Sequence, residues 1–500
     1  ALRTVFQEDA LRRQLVADPV GGGEVFRLAG GQTFGNPRLD GDIKADICIV
    51  GGGFTGVNAA LNLAERGFDV VLLESHRVGW GASGRNGGQV IGGFSGDRKL
   101  LAHHGPHIAD RVWEMCWRGH EIIRARVAKH RIACDLKWGY IDVASKPRQM
   151  RDLEDDYAEL QRRQFPHAVR LVDADGIAET IGTRAYVGGL INQGNGHLHP
   201  LNLCLGEARA AQDAGVRLFE QSPVTNIKRG NKPVAMTAHG AVTADALILA
   251  GNAYHRLIPE RLSGVLFPAG SFIMATEPLD DAVIRDINPH DLAVCDTNNI
   301  LDYFRLSADK RLLFGGRCNY SGREPASIKR SLLPRMAKIY PQLKDARIDY
   351  EWGGRIGIAI NRVTQIGRLD GNVYYAQAYS GHGVNVTHLA AEILADAVTG
   401  TLERMDLFQA IDPVRIPGGQ WFGNQLVAIA SRRLIDRTLD RSAVQVGSFF
   451  EPVERNLRMA RGWLEAGVLA PQDDAALNAV FLPLLEAYPQ ISSVNLGDGD

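Results

Sequence analysis

Three glycines and one glutamate occur at spacings that favour dinucleotide binding. Gly51, Gly53 and Gly56 show the G-x-G-x-x-G spacing directly after an apolar run, and Glu74 closes the next apolar run. Glycine permits the tight turn, the close approach of the backbone to a pyrophosphate and the packing of helix on strand that such a site requires. The free N–H groups of a helix N-terminus attract phosphate, and a carboxylate placed like Glu74 can accept hydrogen bonds from a ribose. The alternative is a glycine-rich turn without a ligand, which leaves Glu74 unexplained.

A second glycine-rich segment, residues 79–89, contains five glycines together with several polar side chains. Such a loop can surround a ligand closely with backbone donors, and Ser83 and Arg85 could neutralise a pyrophosphate. The alternative is a flexible surface loop, but the segment follows directly after the strand that ends at Glu74. We therefore interpret it as a second part of the nucleotide site.

A third glycine-rich turn, Gly381-His382-Gly383, opens a predicted helix that begins near Val384. The N-terminus of that helix would stabilise negative charge on a ligand. We expect His382 to pack or to contact the ligand, and we assign it no proton transfer.

The elements that must position these residues alternate between strand and helix. Buried strands are predicted at 47–50, 70–74, 246–251 and 374–378, and helices at 57–66, 201–213 and 384–398. The sequence between them predicts a different unit, with a strand at 138–143 and a hairpin formed by 303–306 and 311–315. The nucleotide unit is therefore predicted to consist of separated segments with a second domain inserted between them.

Length and composition exclude several classes of protein. The chain has 500 residues, more than one core usually serves, so two or more domains are expected. A formal net charge of −1 gives no electrostatic reason to expect nucleic acid or an anionic membrane as partner. Six scattered cysteines without a C-x-x-C pair favour reduced thiols in a cytoplasmic enzyme. No apolar run reaches transmembrane length. His103, His104 and His107 lack acidic or cysteine partners, so no metal site is expected.

Four blocks together resemble the D-amino-acid-oxidase-like family of FAD-dependent amine oxidoreductases, and within it the γ-glutamylputrescine oxidoreductase branch. The blocks are residues 49–56, 78–89, 196–200 and 379–385. The second and fourth blocks are long and specific, and they narrow the expected cofactor from a dinucleotide in general to FAD. A nicotinamide-dependent dehydrogenase shares only the first glycine pattern.

The resemblance implies an α/β fold whose second domain is α+β. A Rossmann-like FAD-binding domain is expected from residues 41–100, 196–260 and 351–415, and a substrate domain with a mixed sheet from 101–195 and 261–350. Residues 1–40 are expected to be an N-terminal extension, and 416–500 a mostly helical C-terminal extension without an assigned role.

The resemblance also implies noncovalent FAD, because no cysteine lies in a segment that matches the covalent-flavin position of sarcosine-oxidase relatives. The predicted FAD-binding residues come mainly from the three glycine-rich turns. They are Gly51, Gly53, Phe54, Thr55, Gly56, Glu74, Ser75, Trp80, Gly81, Ala82, Ser83, Arg85, Asn86, Gly87, Gly88, Gln89, Val224, Gly251, Gly381, His382, Gly383 and Val384.

Relatives in this family oxidise an amine by moving hydride from the adjacent carbon to flavin N5, after which water hydrolyses the imine. The expected substrate is γ-glutamylputrescine or a related γ-glutamylated amine, and the electron acceptor is O2 or another oxidant. Oxidation of glycine, sarcosine or another small amino acid is the first alternative. A non-catalytic FAD-binding sensor protein is the second.

Three residues are predicted to position the substrate. Arg355 could hold a carboxylate bidentately, or form a structural salt bridge instead. Tyr303 and Arg305 alternate with Phe304 on a predicted strand, so their side of the strand could line the pocket or merely be half-exposed. The oligomeric state does not follow from the sequence.

Overall fold

The computed structural model describes residues 35–298, 301–319 and 325–415. The predicted C-terminal extension and all but the end of the N-terminal extension lie outside these ranges. Within them, no helix has the combination of length and apolar character that a membrane span requires.

The described strands and helices alternate along most of the chain. The strands are β1 (Ile43–Val50), β2 (Val70–Leu73), β3 (Gln89–Val90), β4 (Lys137–Ala144), β5 (Val169–Asp173), β6 (Gly188–His197), β7 (Arg217–Phe219), β8 (Asn226–Lys228), β9 (Val234–Met236), β10 (Ala241–Leu249), β11 (Phe267–Thr276), β12 (Ala293–Asp296), β13 (Asp302–Leu306), β14 (Leu312–Asn319), β15 (Ile348–Ile358), β16 (Gln365–Asp370) and β17 (Val373–Gln377). The α-helices are α1 (Phe54–Ala64), α2 (Ala82–Arg85), α3 (Asp97–His104), α4 (Ala109–His130), α5 (Pro147–Arg162), α6 (Ala174–Ile181), α7 (Pro200–Asp213), α8 (Pro259–Leu262), α9 (Asp281–Ile287), α10 (Ile328–Ile339), α11 (Gly383–Val398) and α12 (Glu403–Gln409).

The first sheet has the strand order β16-β17-β10-β1-β2-β7, with β9 and then β8 added beside β10. Its central pairs, from β17 through β10, β1 and β2 to β7, are all parallel. The buried ends of β1 and β2 read as continuous apolar runs because an apolar cluster covers each face of these parallel strands. Helices α1, α7 and α11 contribute to the large apolar core that includes residues of β1 and β10.

The second sheet has the strand order β15-β11-β14-β13-β12-β4-β6-β3, with β5 beside β6. Its pairs are antiparallel except for β12 beside β4. A separate apolar core lies on one face of this sheet, where α6 and α10 contribute Ile177 and Leu332.

The predicted fold class is confirmed: a parallel sheet made of separated segments accompanies a mixed second sheet. The expected hairpin of 303–306 and 311–315 is present as β13 and β14. β3 and β15 pair within the second sheet, although most of their residues fall in segments assigned by sequence to the FAD-binding domain. The domain boundaries themselves stay a prediction.

The turn between β1 and α1 requires glycine at two positions. Gly51 has φ of 113°, in the left-handed region, and a Cβ atom there would lie 2.9 Å from the backbone of Ala250. A Cβ atom at Gly56 would overlap the backbone oxygen of Gly51. Helix α1 therefore leaves the strand at a distance that a larger residue does not permit.

Replacing Gly56 with alanine should lower the free energy of unfolding by about 1–3 kcal/mol, because backbone must move to admit the methyl group. Urea unfolding monitored by circular dichroism measures this loss. Gly371→Ala is the matched control, since a Cβ atom there meets nothing within 4 Å and the change should stay within about 0.5 kcal/mol. Equal losses in the two variants would contradict the close approach.

Candidate active site

The carboxylate of Glu74 faces the turn that contains Gly51 and Gly53. Its Oε2 atom accepts a hydrogen bond from the backbone N of Gly52 at 2.6 Å, and Oε1 accepts one from the backbone N of His76 at 2.8 Å. Burial raises the pKa of Glu74, while these backbone donors lower it. The glutamate predicted to bind a ribose thus lies against the first glycine turn, and Ser75 donates to it at 3.2 Å.

The second glycine-rich segment lies against the N-terminus of α1. The hydroxyl of Ser83 accepts a hydrogen bond from the backbone N of Phe54 at 2.9 Å, and a Cβ atom at Gly53 would lie 2.8 Å from that hydroxyl. The hydroxyl of Thr55, in the first turn of α1, lies 2.6 Å from the hydroxyl of Tyr379, which precedes the third glycine turn. The structure therefore brings the three predicted turns together around one helix N-terminus.

Several polar side chains of residues 79–89 hold the segment itself. Asn86 donates to the backbone oxygens of Ala82 and Ser83 and accepts from the backbone N of Gly88. The side-chain amide of Gln89 donates to the backbone oxygen of Val294 in β12 at 2.9 Å. These amides hold the shape of the loop, and their contact with a ligand stays a prediction.

Arg85 is engaged on two sides. Its Nε donates to the backbone oxygen of Trp80 at 2.7 Å, and the guanidinium carbon lies 4.6 Å from the centre of the Trp80 ring. The indole N–H of Trp352 donates to the backbone oxygen of Arg85 at 2.9 Å. Contact of Arg85 with a pyrophosphate stays a prediction.

The loop before α11 is strained. Ala378 and Ser380 have φ of 62° and 51°, in the region that favours glycine, and Gly381 follows with φ of 107°. Such non-glycine residues cost about 1–3 kcal/mol each and concentrate at functional sites. The side-chain oxygen of Asn252 accepts from the backbone N of Ala378 at 3.0 Å and helps to hold this conformation.

The N-terminus of α11 is open to a ligand. No side chain caps the helix, and Cβ atoms at Gly381 or Gly383 would meet no described atom within 4 Å. The Nδ1 atom of His382 is buried without a hydrogen-bond partner among the described residues. Burial lowers the pKa of His382, so its neutral form is favoured.

Two further predicted FAD residues lie near the strand ends. A Cβ atom at Gly251 would lie 2.8 Å from the ring of His255, while Gly251 itself closely approaches Gly51. Val224 packs against the buried cluster that contains Val50 and Leu73, the last residues of β1 and β2.

The substrate-positioning candidates lie on the second sheet. Tyr303 and Arg305 both reach the second glycine segment: a Cβ atom at Gly87 would lie 2.7 Å from the Tyr303 ring, and Arg305 Nε donates to the backbone oxygen of Gly87 at 2.6 Å. The Tyr303 hydroxyl lies 3.2 Å from that of Ser271. Arg305 is buried, which lowers the pKa of its guanidinium to about 10. Its contacts are with backbone oxygens, so a role toward substrate stays a prediction.

Arg355 differs from Arg305. Its side chain is half-buried, and its guanidinium has no hydrogen bond or ion pair within residues 35–298, 301–319 and 325–415. Its backbone N donates to the hydroxyl of Tyr254 at 3.0 Å. The structural salt bridge considered as its alternative role is thus absent from the part of the chain that the structure describes.

Sequence reasoning missed two aromatic residues beside Trp80 and the contact that a third, Tyr379, makes with Thr55. His76 stacks on Trp80 with ring centres 3.9 Å apart, and Tyr254 meets the Trp80 edge at 5.8 Å. Tyr379 pairs with Thr55, as described above. The contacts of Tyr254 and Tyr379 join residues distant in sequence, whereas His76 lies only four residues before Trp80.

The arrangement fits FAD. The open N-terminus of α11 suits the negative charge of that cofactor, and the Nδ1 of His382, unpaired among the described residues, suits the polar edge of its ring. The buried Glu74 beside the first glycine turn suits its ribose. Among the described residues, no three or more His, Cys, Asp or Glu side chains are grouped to bind a metal ion.

Comparison with known proteins extends this picture. The family model described as DAO, FAD dependent oxidoreductase, matches residues 46–397. The chain is 42% identical over 385 residues to the gamma-glutamylputrescine oxidoreductase of Escherichia coli, and the match covers 76% of this chain and 90% of that protein. It is 41% identical over 395 residues to the probable oxidoreductase OrdL of Haemophilus influenzae, covering 78% of this chain and 91% of that protein.

Solved structures share the fold. The glycine oxidase from Geobacillus kaustophilus superposes with a TM-score of 0.63 at 22% identity, covering 74% of this chain and 100% of that one. The L-proline dehydrogenase from P. horikoshii gives a TM-score of 0.63 at 19% identity, covering 74% and 98%. The predicted family, enzyme class and cofactor are confirmed by the family match. The chain belongs to the DAO family of FAD-dependent oxidoreductases.

Proposed function

We propose that the amine oxidised at its C–N bond by this enzyme is γ-glutamylputrescine or a related γ-glutamylated amine. The observation that carries the proposal is the half-buried guanidinium of Arg355, which has no ion pair among the described residues. A carboxylate on the end of the substrate remote from the reacting amine would supply that partner. The identity of 42% with a gamma-glutamylputrescine oxidoreductase supports the same substrate class.

The residues of this chain would hold FAD through three contacts. Glu74 would accept hydrogen bonds from the ribose, and the N-terminus of α1 with Ser83 would face the pyrophosphate. The N-terminus of α11 would face the polar edge of the flavin ring, where its dipole favours negative charge. Noncovalently bound FAD would supply the hydride acceptor for the carbon next to the amine nitrogen.

The substrate would be oriented from the second sheet. Arg355 would bind the carboxylate with two parallel hydrogen bonds, a geometry that lysine does not reproduce. The paired hydroxyls of Tyr303 and Ser271, beside Gly87, would line the path toward the cofactor. Fixing one end of a long substrate places the reacting C–H bond and limits unproductive orientations. Water then hydrolyses the imine, and O2 or another acceptor takes the electrons.

Anaerobic addition of γ-glutamylputrescine should bleach the oxidised-flavin absorption of the purified full-length protein. If the band persists with this amine but bleaches with glycine, sarcosine or a D-amino acid, the amino-acid-oxidase alternative replaces the proposed substrate. If no amine bleaches it, the protein binds FAD without oxidising amines, as the sensor alternative requires.

Arg355→Gln should raise the KM for γ-glutamylputrescine by about tenfold or more, because a charged hydrogen bond contributes about 1.5–3 kcal/mol. Putrescine lacks the carboxylate, so its KM should be the same in the variant and the parent enzyme. Initial-rate measurements with both amines test this difference.

Arg368→Gln provides the matched control, since Arg368 is an exposed residue of β16. It should leave both KM values unchanged. Equal effects of Arg355→Gln on the two amines would show that Arg355 acts through the protein structure and not through the substrate carboxylate.

A further inference from the structure

A buried carboxylate joins the two helices that open toward the proposed cofactor site. Glu207 of α7 is fully buried, as are Asn58 of α1 and His388 of α11. Glu207 Oε2 accepts a hydrogen bond from Asn58 Nδ2 at 2.8 Å, and Oε1 lies 2.9 Å from His388 Nε2. We call these three side chains the Glu207 bridge.

Each outer member of the bridge also bonds the first turn of its own helix. Asn58 Nδ2 donates to the backbone oxygen of Phe54, the first residue of α1, at 2.8 Å. His388 Nδ1 lies 2.6 Å from the backbone oxygen of Val384, the second residue of α11. Asn58 and His388 each contact the backbone carbonyl four residues earlier in their own helix. Glu207 is therefore connected to the N-terminal turns of both helices in the same way.

The members of the Glu207 bridge depend on one another for hydrogen bonds, so the loss of one member affects the others. Both oxygens of Glu207 are engaged, one with Asn58 and one with His388, and both ring nitrogens of His388 face oxygen atoms. Removing one partner from such a buried pair leaves the other charge or donor without compensation. All three side chains are inaccessible to solvent, so their polar groups depend on protein partners for hydrogen bonds.

Two further contacts join the N-terminal regions of α1 and α11. The Thr55 and Tyr379 hydroxyls are 2.6 Å apart, and the rings of Phe54 and His388 have centres 5.3 Å apart. The two N-termini are therefore connected both at the glycine turns and in the core beneath them.

We propose that Glu207 is a positioning residue for FAD, which sets the placement of the α1 N-terminus relative to that of α11 without contacting the cofactor. Asn58 connects Glu207 to the end of α1 that would face the pyrophosphate, and His388 connects it to the end of α11 that would face the flavin. The inference rests on FAD binding by the chain and is independent of the amine substrate.

The test measures the dissociation constants of FAD and of ADP for full-length variants, because ADP carries only the ribose and pyrophosphate half of the cofactor. Glu207→Ala should weaken FAD binding by about tenfold. Glu207→Gln retains groups that can bond both partners and should restore most of the affinity. Asn58→Ala should weaken FAD and ADP by the same factor, whereas His388→Ala should weaken FAD more than ADP.

Leu332→Ala separates positioning from general loss of stability. Leu332 is fully buried in the core of the second sheet, and its truncation destabilises the protein away from α1 and α11. It should leave both dissociation constants unchanged. FAD affinity in Glu207→Ala equal to that of the parent, or an equal loss of affinity in Leu332→Ala, would overturn the proposal. If His388→Ala does not fold, the contrast between Glu207→Ala and Glu207→Gln still decides.

Discussion

The backbone oxygen of Gly51 occupies the space that a side chain at position 56 would need, and the site is built around this contact. This close approach lets α1 start beside the end of β1. The free N–H groups of α1 therefore lie at the carboxyl ends of the parallel strands. The same device recurs in the second glycine segment, where a Cβ atom at Gly84 would overlap the backbone oxygen of Gly79. In both turns the absence of a side chain lets two backbone segments approach closely. The same close approach lets a backbone N–H group reach a pyrophosphate.

The segment 79–89 also connects the turn between β1 and α1 to the second sheet. Its Gly87 oxygen accepts from Arg305 of β13, and its Arg85 oxygen accepts from Trp352 of β15. Because Arg305 is buried, its Nε–H group and the loop oxygen satisfy each other through this hydrogen bond. A loop proposed to bind FAD is thus held by the sheet proposed to bind substrate, which couples the geometry of the two binding sites.

Local patterns in the sequence were sufficient for the glycine turns and the strands that precede them. Gly51, Gly56 and Glu74 lie within one strand–helix–strand unit, whose spacing alone determines that they meet. Long-range contacts were not predictable, because nothing local to Thr55 indicates Tyr379, which lies 324 residues away.

The hydrogen bonds of the polar side chains in residues 79–89 were likewise not predictable from the sequence. Contact of Asn86 and Gln89 with FAD stays a prediction, but the sequence did not indicate that both side-chain amides donate to backbone oxygens. The extent of the second sheet was missed for a related reason. β3 is only two residues long, so its partner β6 and not its own sequence determines which sheet it joins.

The discontinuity of the first sheet has a consequence for how the chain folds. β1 and β2 come early, β10 near the middle, and β17 with α11 near the end of the described residues. Contacts of such large sequence separation form slowly, because the chain must close long loops before they become favourable. During synthesis, the first glycine turn emerges more than three hundred residues before the helix that completes its surroundings. β1 and β2 acquire their outer neighbours β10 and β7 once residues 217–249 have been made, and β10 then keeps an open edge until β17 follows. Such an exposed edge invites association with other chains.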